Sequence, residues 1–179
     1  MIDIKLVKQA IKGNEEAFEQ LIKSESDKLY KTAYLYVRNK EDALDVLQET
    51  VCKAFVGIHK LREPQYFSTW LIKILIRSAF QLLHKNKKLV LTGDAFIQQL
   101  TESTPQHTGE DLDLTNAISD LNETYQTVII LFYFHDLSIK AIAESMQAPE
   151  GTIKTNLHRA RQELKKLLEG AGTYGQKTV

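Results

Sequence analysis

The sequence predicts an all-α protein of two small helical domains joined by a flexible acidic linker. Three observations predict it. Apolar residues recur at three- and four-residue spacing through most of residues 4–88 and again from Leu114 to Leu168, and no segment alternates as a strand would. Thr92 to Thr115 interrupts that pattern with Gly93, Pro105, Gly109, several Ser and Thr and few apolar side chains. The 179 residues, 43% hydrophobic and 26% charged, suffice for two modest cores. The expected bounds are a domain at 1–91, a linker at 92–113, a domain at 114–170 and a Gly-rich tail at 171–179.

Taken in order, Ile4, Val7 and Ile11 form the first helical stripe, which Gly13-Asn14 ends. Asn14 is suited to cap a second helix carrying Phe18, Leu21, Ile22, Leu29, Ala33, Tyr34 and Val37. Asn39 is suited to cap a third, with Asp42 near its N-terminus and Leu44, Leu47, Val51, Ala54 and Phe55 as its apolar set. Pro64 disfavours helix at the residue before it, so Arg62–Gln65 reads as a break. A strongly apolar fourth helix follows from about Ser68 to Leu83 and runs into the cluster His84-Lys85-Asn86-Lys87-Lys88. A short helical piece is expected at Ala95–Leu100 inside the linker.

Several function classes drop out. Apolar stretches are broken by charged residues well before the roughly 20 residues a membrane span needs, and Met1–Lys5 opens no signal-peptide pattern. The expected location is therefore the cytoplasm. Cys52 stands alone, which excludes an internal disulfide, and it reads as a small packed residue. His59, His84, His107, His135 and His158 lack metal-ligand spacing. Neither a Gly-rich phosphate loop nor a nucleophile paired with a base is present. No catalytic residue, metal, cofactor or small-molecule substrate is expected.

Net charge is zero, but its distribution is uneven. Lys60, Arg62, Lys73, Arg77, Lys85, Lys87 and Lys88 face only Glu63 over residues 60–88, whereas 92–123 holds acids and no Lys or Arg. Basic residues lead again over 151–169. Separate blocks of opposite sign create separate fields, although solvated helix faces account for them equally.

Near the C-terminus, Ser138 is placed to cap a short helix, 139–146, whose Ala141 and Ala143 let another helix cross closely. Gln147-Ala148-Pro149-Glu150 supplies a turn, with Pro149 suited to a first helical position. The next helix has Ile153, Leu157, Ala160 and Leu164 on one stripe and Thr155, His158, Arg159 and Gln162 opposite, with Lys154 at the flank. That division is what a helix-turn-helix needs: apolar on the locking side, base-reading donors on the other. A helical hairpin with a solvated basic face fits the spacing too.

The string Ala148–Arg161 (APEGTIKTNLHRAR) resembles region 4 of the extracytoplasmic-function (ECF) sigma factors of the sigma-70 family. Ala117–Leu121 and Leu137–Ala143 resemble the same region. The resemblance implies a reader of duplex −35 DNA through Thr152, Lys154, Thr155, His158, Arg159 and Arg161. In this region two positions depart from the family pattern, Asn122 where Pro is usual and Gln147 where Gly is common, and in the N-terminal half Arg77, Gln81 and His84 stand where many relatives carry Asn, Asp and Arg.

The N-terminal half carries two further motifs. Spacing places Asp42, Asp45 and Glu49 on one helical face, where like charges repel mildly and a basic partner offsets the cost. Solvated surface carboxylates fit as well. The string Asp42–Glu49 resembles sigma region 2.2, which implies that Asp42, Asp45, Gln48 and Glu49 dock on the β′ clamp helices of core RNA polymerase. Tyr66–Leu71 (YFSTWL) sets aromatics beside Lys73 and Arg77, as single-stranded DNA requires, although Trp70 and Phe67 also suit a core. It resembles regions 2.3 and 2.4, implying that Arg62, Tyr66, Phe67, Ser68, Lys73, Arg77 and Gln81 hold melted −10 DNA.

Within the family the chain is most similar to compact Gram-positive members of the SigV type. The resemblance implies a promoter-specificity subunit that binds core polymerase through its β′ and β subunits, reads duplex and single-stranded promoter DNA, and is held inactive by a membrane-anchored anti-sigma factor. A stand-alone dimeric regulator and a polymerase-binding adaptor remain the alternatives. The first would favour palindromic sites; the second would tolerate loss of Lys154 and Arg159.

Overall fold

In the computed structural model, residues 2–91 and 109–174 are described, with side-chain surroundings at 2–86 and 114–169. The elements among them are eight α-helices: α1 (Ile4–Ile11), α2 (Glu15–Val37), α3 (Lys40–Gly57), α4 (Phe67–Leu91), α5 (Gly109–Asp120), α6 (Glu123–Ile129), α7 (Ile139–Met146) and α8 (Glu150–Tyr174). Two 3-10 turns, Ile58–Lys60 and Pro64–Tyr66, separate α3 from α4. A π turn, Ile130–Phe134, extends α6, with His135 N–H bonding the carbonyl of Ile130 at 3.2 Å. The chain divides into two units, Met1–Ser103 and Thr104–Val179.

Caps start the helices where the sequence places them. Asn14 Oδ1 accepts from Ala17 N–H at 2.8 Å, Asn39 Oδ1 from Glu41 N–H at 2.8 Å, and Ser138 Oγ from Ala141 N–H at 3.2 Å. Each satisfies a donor that the first helical turn leaves unpaired. Asn122 is a fourth such cap: its Oδ1 accepts from Tyr125 N–H at 3.0 Å. The departure from proline there therefore replaces one helix-starting device with another. Pro149 sits one residue earlier than expected, outside α8, where its carbonyl accepts from Thr152 and Ile153 N–H.

In the first unit α2, α3 and α4 pack on one another and α1 lies against α2. The core holds Val7, Phe18, Leu21, Leu29, Val46, Phe67, Leu71 and Leu75, with Ala33, Ala43, Ala54 and Ala79 where helices approach closely. The buried hydroxyls of Thr32 and Thr50 donate to the carbonyls of Lys28 and Val46 four residues back, so neither is left unsatisfied.

Four expectations change. On α3 the inward face is Ala43, Val46, Thr50 and Ala54, while Leu44 and Phe55 are about half exposed, at 49% and 48%, and Cys52, expected to be packed, is exposed. Phe55 covers itself partly by an edge-to-face contact with Phe18, ring centroids 5.3 Å apart. α5 begins at Gly109, inside the stretch expected to be linker; Glu110 and Asp111 suit a first turn, where the helix dipole favours acids. α8 continues through Gly170 and Gly172 to Tyr174, because an established helix adds one hydrogen bond for each residue it orders. The expected helical piece at 95–100 and residues 175–179 of the tail lie outside the described residues.

The fourth change concerns Phe67. Its ring is 0% exposed at the start of α4, tilted against Trp70 with centroids 6.0 Å apart. A base cannot stack on a ring with no free face, so Phe67 is a core anchor and not a DNA contact. Phe67→Ala is expected to destabilise the first unit by about 3–5 kcal/mol, measured by denaturant unfolding.

In the second unit α5, α6 and α7 all pack on α8. Ile118, Leu121, Val128–Leu131, Ile142, Ile153, Leu157 and Ala160 make the core. Gln147 ends α7 in the left-handed region, φ 53° and ψ 44°, where a Cβ is disfavoured. Gln147→Gly should stabilise this unit by about 0.5–1 kcal/mol and raise its melting temperature by several degrees, as read by calorimetry.

Candidate nucleic-acid interface

α8 divides as its spacing requires. Ile153, Leu157 and Ala160 are buried, while Thr152, Lys154, Thr155, His158, Arg159, Arg161 and Gln162 are exposed. Leu164, expected inside, is only half-buried. The hydroxyl of Thr155 donates to the carbonyl of Gly151 at 2.9 Å, which satisfies it within the helix. Arg161 differs from the others. Its guanidinium carbon lies 5.5 Å from the ring centroids of both Phe132 and Tyr133, themselves edge-to-face at 5.0 Å. That cation–π contact ties α8 to the π turn before any ligand arrives.

The break between α3 and α4 is built on Phe67. With that ring buried, the turn Pro64–Tyr66 is held against the core while Tyr66 itself stays 53% exposed. Arg62 and Gln65 are also exposed, and Gln65 Nε2 donates to Glu63 Oε2 at 2.9 Å. Ser68 and Lys73 are half-buried; Arg77 and Gln81 are exposed farther along α4. Trp70 is half-buried, and its Cζ2 lies 3.4 Å from where a Cβ at Gly57 would stand, an ordinary contact distance that places the indole against the end of α3.

On α3, Asp45, Gln48 and Glu49 are exposed and Asp42 is half-buried. Burial, followed by the charges of Asp45 and Glu41, raises the Asp42 carboxyl above the usual carboxylate range. The helix N-terminus works the other way, but the net direction is upward, so ionised Asp42 is under electrostatic load. Leu44, Cys52, Phe55 and Val56 extend the same exposed side of α3.

The sequence pattern missed two features here. One is the apolar part of that α3 side, because Leu44 and Phe55 read as core. The other is Lys53, whose ammonium pairs with Glu49 Oε1 at 3.1 Å and donates to Ser78 Oγ at 3.1 Å and Gln81 Oε1 at 2.8 Å. Its only sequence signal was the i, i+4 pairing with Glu49. Among the described residues no group of three or more His, Cys, Asp or Glu is placed to hold a metal, and no helix is long and apolar enough to cross a membrane.

Comparison with known proteins accounts for both halves. A family model described as Sigma-70 region 2 matches residues 21–89, and one described as Sigma-70, region 4 matches residues 111–164. The RNA polymerase sigma factor SigV of Bacillus subtilis (strain 168) is 39% identical over 131 residues, 73% of this chain and 78% of that one. The ECF RNA polymerase sigma factor SigW of the same organism is 31% identical over 178 residues, 92% of this chain and 95% of that one. Among solved structures, the sigma factor RpoE in complex with the anti-sigma factor NepR from Bartonella quintana superposes with a TM-score of 0.73 at 25% identity, covering 85% of this chain and 96% of that one. Two regions matched in order, and relatives above 30% identity across most of their length, show that this chain belongs to the ECF branch of the sigma-70 family of RNA polymerase sigma factors.

Proposed function

We propose that this chain is a promoter-specificity subunit in which each half reads DNA in a different state. One observation carries the reading: an exposed polar face on α8 occurs in the same chain as an exposed Tyr66, with Arg62 in the break before it and Arg77 and Gln81 exposed farther along α4. Thr152, Lys154, Thr155, His158 and Arg159 would meet the duplex −35 element in its major groove. With its hydroxyl turned to Gly151, Thr155 presents chiefly its methyl, which suits the methyl of thymine. Arg161, already placed by Phe132 and Tyr133, would reach phosphate with little further loss of rotamer entropy.

Melted −10 DNA would lie along Arg62, Tyr66, Ser68, Lys73, Arg77 and Gln81, with Tyr66 as the stacking face. Unstacking costs a few kcal/mol for each step, which stacking on Tyr66 and phosphate contacts must offset. Asp42, Asp45, Gln48 and Glu49 would bind the clamp helices of core polymerase. A basic partner there relieves the repulsion that the carboxylates carry when free. The reaction chemistry belongs to polymerase, and the chain acts as a cytoplasmic binding subunit without catalysis of its own. The anti-sigma complex of the RpoE relative supports an inhibitor for this chain too; its anchoring in the membrane rests on the family resemblance alone.

Run-off transcription with purified core polymerase and genomic promoter fragments tests the reading. Initiation that requires this chain, at sites without a palindrome, is expected; no initiation from any fragment would reject it. A second outcome follows from Asp42. Its raised carboxyl pKa means that the folded state takes up its proton more readily than the unfolded chain. Ionised Asp42 therefore destabilises the fold at neutral pH. Asp42→Asn should raise the melting temperature at pH 7, with the gain vanishing below about pH 4 as wild-type Asp42 protonates. The same variant should bind core polymerase more weakly in a pull-down titration.

A further inference from the structure

The Lys53 ammonium is fully committed. It has three N–H donors and no acceptor, and three oxygens take them: Glu49 Oε1, Ser78 Oγ and Gln81 Oε1. Ser78 is buried in α4, so the tie between α3 and α4 is anchored below the surface. Because lysine only donates, the Gln81 atom facing it must be the carboxamide oxygen. The amide NH2 is thereby turned away, and among the described residues it has no acceptor. Gln81 itself is exposed.

An unrestrained glutamine reads adenine with both ends of its amide, its oxygen accepting from N6 and its NH2 donating to N7. The charge-assisted bond of 2.8 Å from Lys53 takes one of the two lone pairs of the Gln81 oxygen and favours one of the two flipped orientations of the amide, leaving the second lone pair and the NH2 for a base. We propose that Lys53 sets the base preference of Gln81 by holding its amide in one orientation, so that a base meets a fixed donor–acceptor edge in place of one that flips freely. The inference rests on reading Gln81 as a contact to −10 DNA. Lys53 touches no base; it is a positioning residue that acts through the amide it holds.

The test is transcription by core polymerase and the full chain from promoters randomised through the −10 element. Base frequencies in the product are normalised to total transcript, so losses in folding or polymerase affinity drop out. Gln81→Ala is expected to flatten the preference at one position. Lys53→Met frees the amide to flip and should weaken the preference at that same position by roughly threefold or more, while leaving the other positions as in wild type. Gln81→Glu keeps an oxygen toward Lys53 but has no N–H to offer, so it should move the preference toward cytosine, whose N4 amino group donates. If Lys53→Met or Gln81→Glu leaves the Gln81-dependent position unchanged, the proposal is overturned while Gln81 stays a reader. If Gln81→Ala changes no position, Gln81 does not read DNA, and both the proposal and its premise fall.

Discussion

Most of the stability of a helix in a protein comes from packing one stripe of it into a core, not from the helix alone. Everything functional in this chain follows from that constraint. α3, α4 and α8 each commit one face to packing, Ala43 and Val46, Leu71 and Leu75, Ile153 and Leu157, and only the remaining faces are left to meet a partner. Small cores have few apolar residues to spare. Phe67 illustrates the trade: a ring beside an array of cations looks like a stacking platform, but the first unit uses it to hold the start of α4. Tyr66, one residue earlier, carries the exposed aromatic surface instead.

Most of the fold was legible because its signals are local. Asn14, Asn39 and Ser138 are capping residues in front of periodic segments, and the structure has each side-chain oxygen accepting the expected kind of backbone bond. The α8 stripe was legible because Ile153, Leu157 and Ala160 share one face and the opposite residues are all polar. α3 was harder because its apolar residues occur all round. Periodicity then fixes the element but not its rotation, and Ala43 and Thr50, small enough for close helix approach, displaced Leu44 and Phe55 from the interior. Lys53 was illegible for a different reason: Ser78 and Gln81 lie on another helix, and no local pattern reports a bond across 25 or 28 residues.

The two departures in region 4 turn out to be unlike in physical character. Asn122 is an adequate substitute for proline because a side-chain acceptor and a preset backbone angle both start a helix. Gln147 is a compromise, since its backbone takes the left-handed conformation that glycine adopts without strain. It lies in the turn ahead of the reading helix, and it leaves the face carrying Thr155, His158 and Arg159 exposed.

The division of the chain into two units, each drawing its core from its own residues, bears on how the protein is made. In the first unit α1 packs on α2, α2 on α3 and α3 on α4, mostly neighbours in sequence, with α2 also meeting α4. Such local topology favours rapid folding, and domains generally form in order as the ribosome delivers them. The first unit can therefore be complete while α8 is still being translated. Its exposed side of α3 would then be available for capture, by polymerase or by an inhibitor, on a nascent chain that does not yet have its second DNA-reading helix.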